Sequence, residues 1–90
     1  MIFPNQNSEK DPKNVEFGKR LKTLFKKRGL IQSEAADILG WSTTMIYYYT
    51  NGHKQMRIGR FAELVDKLSL THKEVAHLLE AYWEVDDDTN

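Results

Sequence analysis

Apolar residues recur at helical spacing along most of the chain, and nowhere do they alternate as a strand would require. Phe17, Leu21, Leu24 and Phe25 stand at i, i+4, i+7 and i+8, which predicts a first helix over residues 15–28, with Asn14 as its cap and Gly29 as its stop. A second helix is expected over residues 32–39, where Ala35 and Ala36 are small enough for another helix to pack closely and Gly40 ends the pattern. Trp41 then anchors a short turn into a third helix over residues 42–51. Ser42 suits its N-cap, and Gly52 suits the left-handed residue that closes it. Ile58, Phe61, Leu64, Val65 and Leu68 supply the core stripe of a fourth helix, after a basic loop over residues 53–57. Thr71 and Glu74 form a capping-box pattern that opens a fifth, in which Val75, Leu78, Leu79 and Tyr82 are the apolar positions. The expectation is an all-α, compact five-helix domain over residues 15–83. It is preceded by a flexible N-terminal arm, residues 1–14, and followed by an acidic tail or linker, residues 84–90. Both prolines lie in the arm, where Lys10 and Lys13 could reach a phosphate. The plain alternative there is a disordered terminus without a role.

The third helix has an unusual outer face. At about 100° per residue, Met45, Ile46 and Tyr49 share one arc and Thr43, Thr44, Tyr47, Tyr48 and Asn51 the other. Lys and Glu normally fill a face that serves solubility, yet this one is hydroxyl-rich and uncharged, so it is expected to touch a partner. The three adjacent tyrosines point about 100° apart and so do not make one stacking platform for single-stranded bases. Tyr49 is expected in the core, whereas Tyr47 and Tyr48 can offer phenol hydroxyls to phosphates or base edges.

Composition narrows the function classes. Ninety residues, 40% hydrophobic and 29% charged, allow one small core. The absence of cysteine rules out disulfides and thiolate metal sites; it fits a reducing compartment, although a small domain can simply lack cysteine. No apolar run approaches the roughly 18 residues of a membrane span, and the start of the chain lacks a charged segment followed by an apolar one. A cytoplasmic protein without a membrane partner is therefore expected. The formal net charge of zero hides a polarity: residues 1–60 carry a net +6 and residues 61–90 a net −6. One basic face is enough for a polyanionic partner. Lys54, Arg57 and Arg60, with Arg20 or with Lys26, Lys27 and Arg28, are the candidate phosphate contacts. For the first-helix cations the alternative is a solvated face that also complements the helix dipole.

Enzyme chemistry finds little support. His72 and His77 are five positions apart and do not share a helix face as ligands at i and i+4 would, and His53 sits in a loop without an obvious carboxylate partner. A Gly-rich phosphate loop, a nucleophile elbow and a zinc signature are all missing, and Asp86, Asp87 and Asp88 lack calcium-loop spacing. No catalytic residue, cofactor or metal is expected.

Residues 29–52, GLIQSEAADILGWSTTMIYYYTNG, resemble the helix-turn-helix of the lambda-repressor-like (Cro/C1-type, XRE-type) DNA-binding domains. Gln32, Glu34, Ala36, Leu39, Gly40, Ser42, Ile46 and Gly52 carry the match, and the similarity extends from about Phe17 to Leu79. In such proteins the second motif helix enters the major groove and the first crosses the backbone. The resemblance implies a sequence-specific duplex-DNA-binding transcriptional regulator, a repressor, of bacterial or phage origin. Ala36 would let the motif helices cross closely, Gly40 would make the turn, and Ile46 would plug the second helix into the core. Gln32 would hold a phosphate and brace the recognition helix, and Ser42 would also meet the backbone. Base edges would be met by Thr43, Thr44, Tyr47, Tyr48 and Asn51. The chain departs from the family pattern at Ile31, where Thr or Ser usually caps, and at Thr50, where Glu commonly forms an ion pair. The exposed arc also lacks the Arg, Lys and Gln that make most bidentate base contacts, so threonine methyls on thymine, hydroxyl bonds, Asn51 and DNA shape would have to serve.

Beyond the inward stripe of the fifth helix, Trp83 and Val85 leave apolar surface to cover. This suggests a weak homodimer through Leu79, Tyr82 and Trp83; otherwise Trp83 folds back onto the first helix of its own chain. A protein-interaction module on the same scaffold, antitoxin-like or regulator-binding, is the rival from another class, since tyrosine also suits protein interfaces.

Overall fold

The computed structural model describes residues 10–84; most of the expected arm and the tail after Glu84 lie outside them. Within that range the chain is all-helical. It comprises α1 (Pro12–Lys27), α2 (Gln32–Leu39), α3 (Thr43–Thr50), α4 (Ile58–Leu68), α5 (His72–Leu79) and a single closing turn, α6 (Ala81–Glu84).

The first helix starts earlier than the apolar stripe indicates. Its N-cap is Asp11, whose carboxylate accepts from the Lys13 N–H at 2.9 Å, and Pro12 fills the first helical position. There the missing proline N–H costs nothing and its fixed φ is already helical. The proline marks a helix start, and the arm shrinks accordingly. Asn14, expected as the cap, sits in the first turn, where its side-chain oxygen accepts from the Tyr82 hydroxyl at 3.3 Å.

The core is one cluster drawn from every helix except the exposed parts of α3 and α5, with Phe25, Leu21, Leu39, Ile46, Leu64 and Leu78 fully enclosed. Ile58 does not join it. Expected in the α4 stripe, it opens that helix in its first turn, where nothing covers it, and is 80% exposed. Met56, from the loop before α4, is buried instead. The fifth helix also ends sooner than expected, at Leu79. After the break at Glu80, Ala81 is buried and the Tyr82 ring packs 5.6 Å from that of Phe17.

Four successive helices end in the same way. The N–H of the residue after the left-handed one turns back to the carbonyl five residues earlier: Leu30 to Phe25, Trp41 to Ala36, His53 to Tyr48 and Leu70 to Val65. Glycine takes the left-handed position in the first three, and Ser69, at φ 51°, takes it in the fourth.

The third helix is held from behind by α1. Gly18 faces the end of α3 so closely that a Cβ there would lie 2.5 Å from the Thr50 carbonyl oxygen, and one on Gly52 would lie 2.8 Å from the Val15 Cα. Two straps then tie α1 to the C-terminal helices. Arg28 bonds Glu74 at 2.6 Å and the Leu68 carbonyl at 2.6 Å, and Arg20 bonds Glu16, the His77 carbonyl and Glu84 at 2.8–3.0 Å.

Candidate nucleic-acid interface

The geometry starts at the turn between α2 and α3. Gly40, at φ 74°, ends α2, and the Gly40 and Trp41 N–H groups both donate to the Ala36 carbonyl. The Trp41 side chain is buried edge-on against Tyr49, 5.7 Å between rings, and its indole N–H donates to Glu63 of α4 at 2.8 Å. This contact, aided by Arg60 at 3.1 Å, holds the Glu63 carboxyl below its ordinary value. The Arg60 guanidinium also lies 5.6 Å from the Trp41 ring centre. Ser42 then caps α3, its hydroxyl oxygen accepting from the Met45 N–H at 3.0 Å. The hydroxyl proton remains to donate outward.

Ile31, at the N-cap of α2, has no side-chain acceptor, but half of a capping box survives because Glu34 accepts from the Ile31 N–H at 3.0 Å. Thr50 is 2% exposed, and its hydroxyl receives the Gln32 amide at 3.4 Å while donating to the Ile46 carbonyl at 2.9 Å. A neutral hydrogen bond thus links the start of α2 to the end of α3. Ile46 and Tyr49 are buried and Met45 packs partly against the core, as their arc predicts.

Thr43, Thr44, Tyr47 and Tyr48 are all exposed, the tyrosines at 51% and 40%. Ser42, Thr44 and Tyr48 share an open depression of about 400 Å³ with Lys54, Arg57 and Arg60, so the uncharged helix face and the basic loop border one surface. The side chains of Lys54 and Arg57 make no hydrogen bond or ion pair with any described residue. Asn51 is turned back onto its own helix, its amide donating to the Tyr47 carbonyl at 2.9 Å, and its own carbonyl accepts from Lys10 at 2.9 Å.

Arg20 stands apart from this set. With its guanidinium bonded to two carboxylates and a carbonyl between α1 and the C-terminal helices, it is a structural strap and not a free phosphate contact. Arg28 is spent in the same way. On the last two helices, Leu79 packs partly against the core and Tyr82 is fixed between Phe17 and Asn14, but Trp83 is 66% exposed.

His53 is the residue that sequence reasoning passed over. Its ring stacks on Tyr47 at 5.6 Å and 27°, and meets Tyr48 edge-on at 5.8 Å. The signal was present: a glycine at the left-handed position returns the residue after it to the last helical turn, and His53 directly follows Gly52.

Compared with protein-family models and with curated proteins, the chain matches none.

Proposed function

We propose that this chain binds double-stranded DNA with sequence selectivity, as a cytoplasmic transcriptional repressor of the helix-turn-helix kind. In this reading α3 enters the major groove while Lys54, Arg57 and Arg60 neutralise the flanking phosphates. The observation that carries it is the shared border between an uncharged Thr/Tyr helix face and the side chains of Lys54 and Arg57, which bond no described residue, with Arg60, paired to Glu63, on the same border. Groove floors offer hydrogen-bonding edges and methyls, and groove walls offer phosphates, so such a surface complements both. Gln32 and the Ser42 hydroxyl stand at the starts of α2 and α3, where backbone N–H groups also favour an anion. Thr43, Thr44, Tyr47 and Tyr48 would meet base edges; Asn51, committed to capping its own helix, would contribute less.

One recognition helix reads few base pairs, and exposed Trp83 gives a second copy something to grip. We place a weak two-fold dimer there, strengthened on DNA. Sedimentation of wild type and Trp83→Ala from micromolar concentration upward checks it: concentration-dependent pairing lost in the variant supports the dimer, and monomers throughout with single half-site occupancy reject it.

The direct test of DNA binding is selection of bound duplexes from a random pool, followed by affinity measured against salt. An enriched motif whose log K falls with log salt by about 0.9 per phosphate contact supports the reading. Passage through a duplex-DNA column without retention at low salt would instead favour a protein partner for the tyrosine face, a reading for which the exposed Ile58 and Trp83 also speak.

A further inference from the structure

The face of α3 holds a preformed aromatic surface. Tyr47, Tyr48 and His53 contact one another pairwise, with ring centres 5.6–6.1 Å apart, and all three are exposed. The two tyrosine rings lie 6.1 Å apart, and the imidazole, returned by the Gly52 turn, packs against both of them. No charged residue lies within α3, and Thr43 and Thr44 extend the same exposed face with methyl groups.

We infer that the Tyr47–Tyr48–His53 cluster, together with Thr44, reads the C5-methyl group of thymine in the major groove, and that His53 is a positioning residue for this readout. The inference rests on the DNA-binding reading and gives it a substrate class: duplex sites whose bound strand presents thymine methyls to α3. Thymine is the one standard base that brings a methyl group into that groove, where it is recognised by apolar contact and not by charge. Three rings in mutual contact lose less side-chain freedom on binding than three independent ones, so the apolar contact is gained at lower entropic cost. The cations that would flank such a site are present on one side of it, at Lys54, Arg57 and Arg60, and complement phosphates. The tyrosine hydroxyls at the ring ends bond no described residue and can reach base edges or backbone.

The test uses the full chain and the duplex it selects from a random pool. A second duplex of identical sequence carries deoxyuridine in place of thymidine, which removes the methyls and leaves base pairing and phosphate charge unchanged. Expected is about fourfold weaker binding for each methyl buried, the factor for one methylene-sized group, with an unchanged salt slope. His53→Ala should shrink the thymidine-to-deoxyuridine ratio, while His53→Phe, which keeps a ring against both tyrosines, should retain it. Far-UV circular dichroism of both variants should match wild type, since the substituted side chain is exposed. Equal affinity for the two duplexes overturns the methyl readout while leaving DNA binding intact. An unchanged ratio in His53→Ala removes the positioning role. Failure to select any duplex overturns the DNA-binding reading itself and the inference with it.

Discussion

Two basic regions of this molecule look alike as strings of residues and behave oppositely in the fold. On α1, Arg20 and Arg28 stand in a cationic stretch, yet each guanidinium is consumed by carboxylates and helix-terminal carbonyls of the C-terminal half. In the loop ahead of α4, the side chains of Lys54 and Arg57 bond no described residue and border the open face of α3. The positive excess of the first 60 residues and the negative excess of the last 30 are thus partly cancelled inside the domain, where they clamp its two ends together. Only the cations left over can neutralise an outside anion. A charge count therefore overstates the available surface, and the geometry of partners decides which charges act outward.

The largest effect on this contrast should come from Gly18, which lets α1 approach α3 and so supports the presenting region from behind. Gly18→Val places side-chain atoms against the Thr50 and Tyr49 carbonyls, backbone that cannot move aside cheaply. We expect a loss of about 3 kcal/mol, at the upper end for overpacking, measured by urea unfolding. Stability within 0.5 kcal/mol of wild type, by the usual scale of a neutral surface change, would mean that α1 and α3 are not held this closely.

Next come the two kinds of cation. Replacing Lys54 and Arg57 together by alanine should leave the melting temperature unchanged and reduce the magnitude of the salt slope of DNA affinity by about 1.8, two contacts' worth. Arg28→Ala should do the reverse: it unpairs Glu74 and the Leu68 carbonyl, at a cost of about 1 kcal/mol after allowance for partial exposure, and leaves the salt slope alone. If Arg28→Ala lowered the slope while the double variant did not, the roles assigned to the two regions would be reversed.

The helices and most of the core were legible in the sequence because each apolar stripe, cap and terminal glycine is a local signal. Ser42, Gly40 and the Thr71–Glu74 box act as their residue types dictate. What escaped was set by contacts between distant segments or by competing local meanings. Pro12 looked like part of an arm because proline marks both loops and first turns. Ile58 has the right period for the core but opens α4 uncovered, and periodicity carries no information on where cover stops. Arg20 could not be separated from Lys54 without knowing that residues 77 and 84 come back to meet it. At the candidate interface, the exposed Thr43, Thr44, Tyr47 and Tyr48 followed from helical phase alone, whereas the packing of the His53 ring against both tyrosines depended on the Gly52 turn.

A smaller change concerns α4, the helix whose end departs from glycine. Ser69 holds the left-handed position that glycine takes in the three preceding helices, and an L side chain there is disfavoured. Ser69→Gly should raise stability by about 0.5 kcal/mol, the relief of strain being partly offset by a more flexible unfolded chain. A drop in the urea midpoint would show that the serine side chain contributes something the turn geometry does not reveal.

The smallest expected effect is a pH dependence that separates the clamp from the interface. Glu74 is held below its ordinary carboxyl value, first by its hydrogen bond from Arg28 and then by the Thr71 N–H at the cap. A carboxyl whose folded value is depressed contributes stability that is present above its unfolded value, near 4.3, and lost as the pH falls through the folded one. Glu63, lowered by the Trp41 indole and Arg60, behaves with the same sign. The melting temperature should accordingly stay level from neutral pH to about 5 and decline below about 4.5, where both carboxyls take up protons that the native state resists. Arg28→Ala should flatten part of that decline by letting Glu74 titrate nearer its ordinary value, whereas the Lys54/Arg57 double variant should follow wild type at every pH. An Arg28→Ala profile parallel to wild type down to pH 3 would remove the Arg28–Glu74 pair as a source of acid sensitivity and leave Glu63, beneath the turn into α3, as the carboxyl to examine.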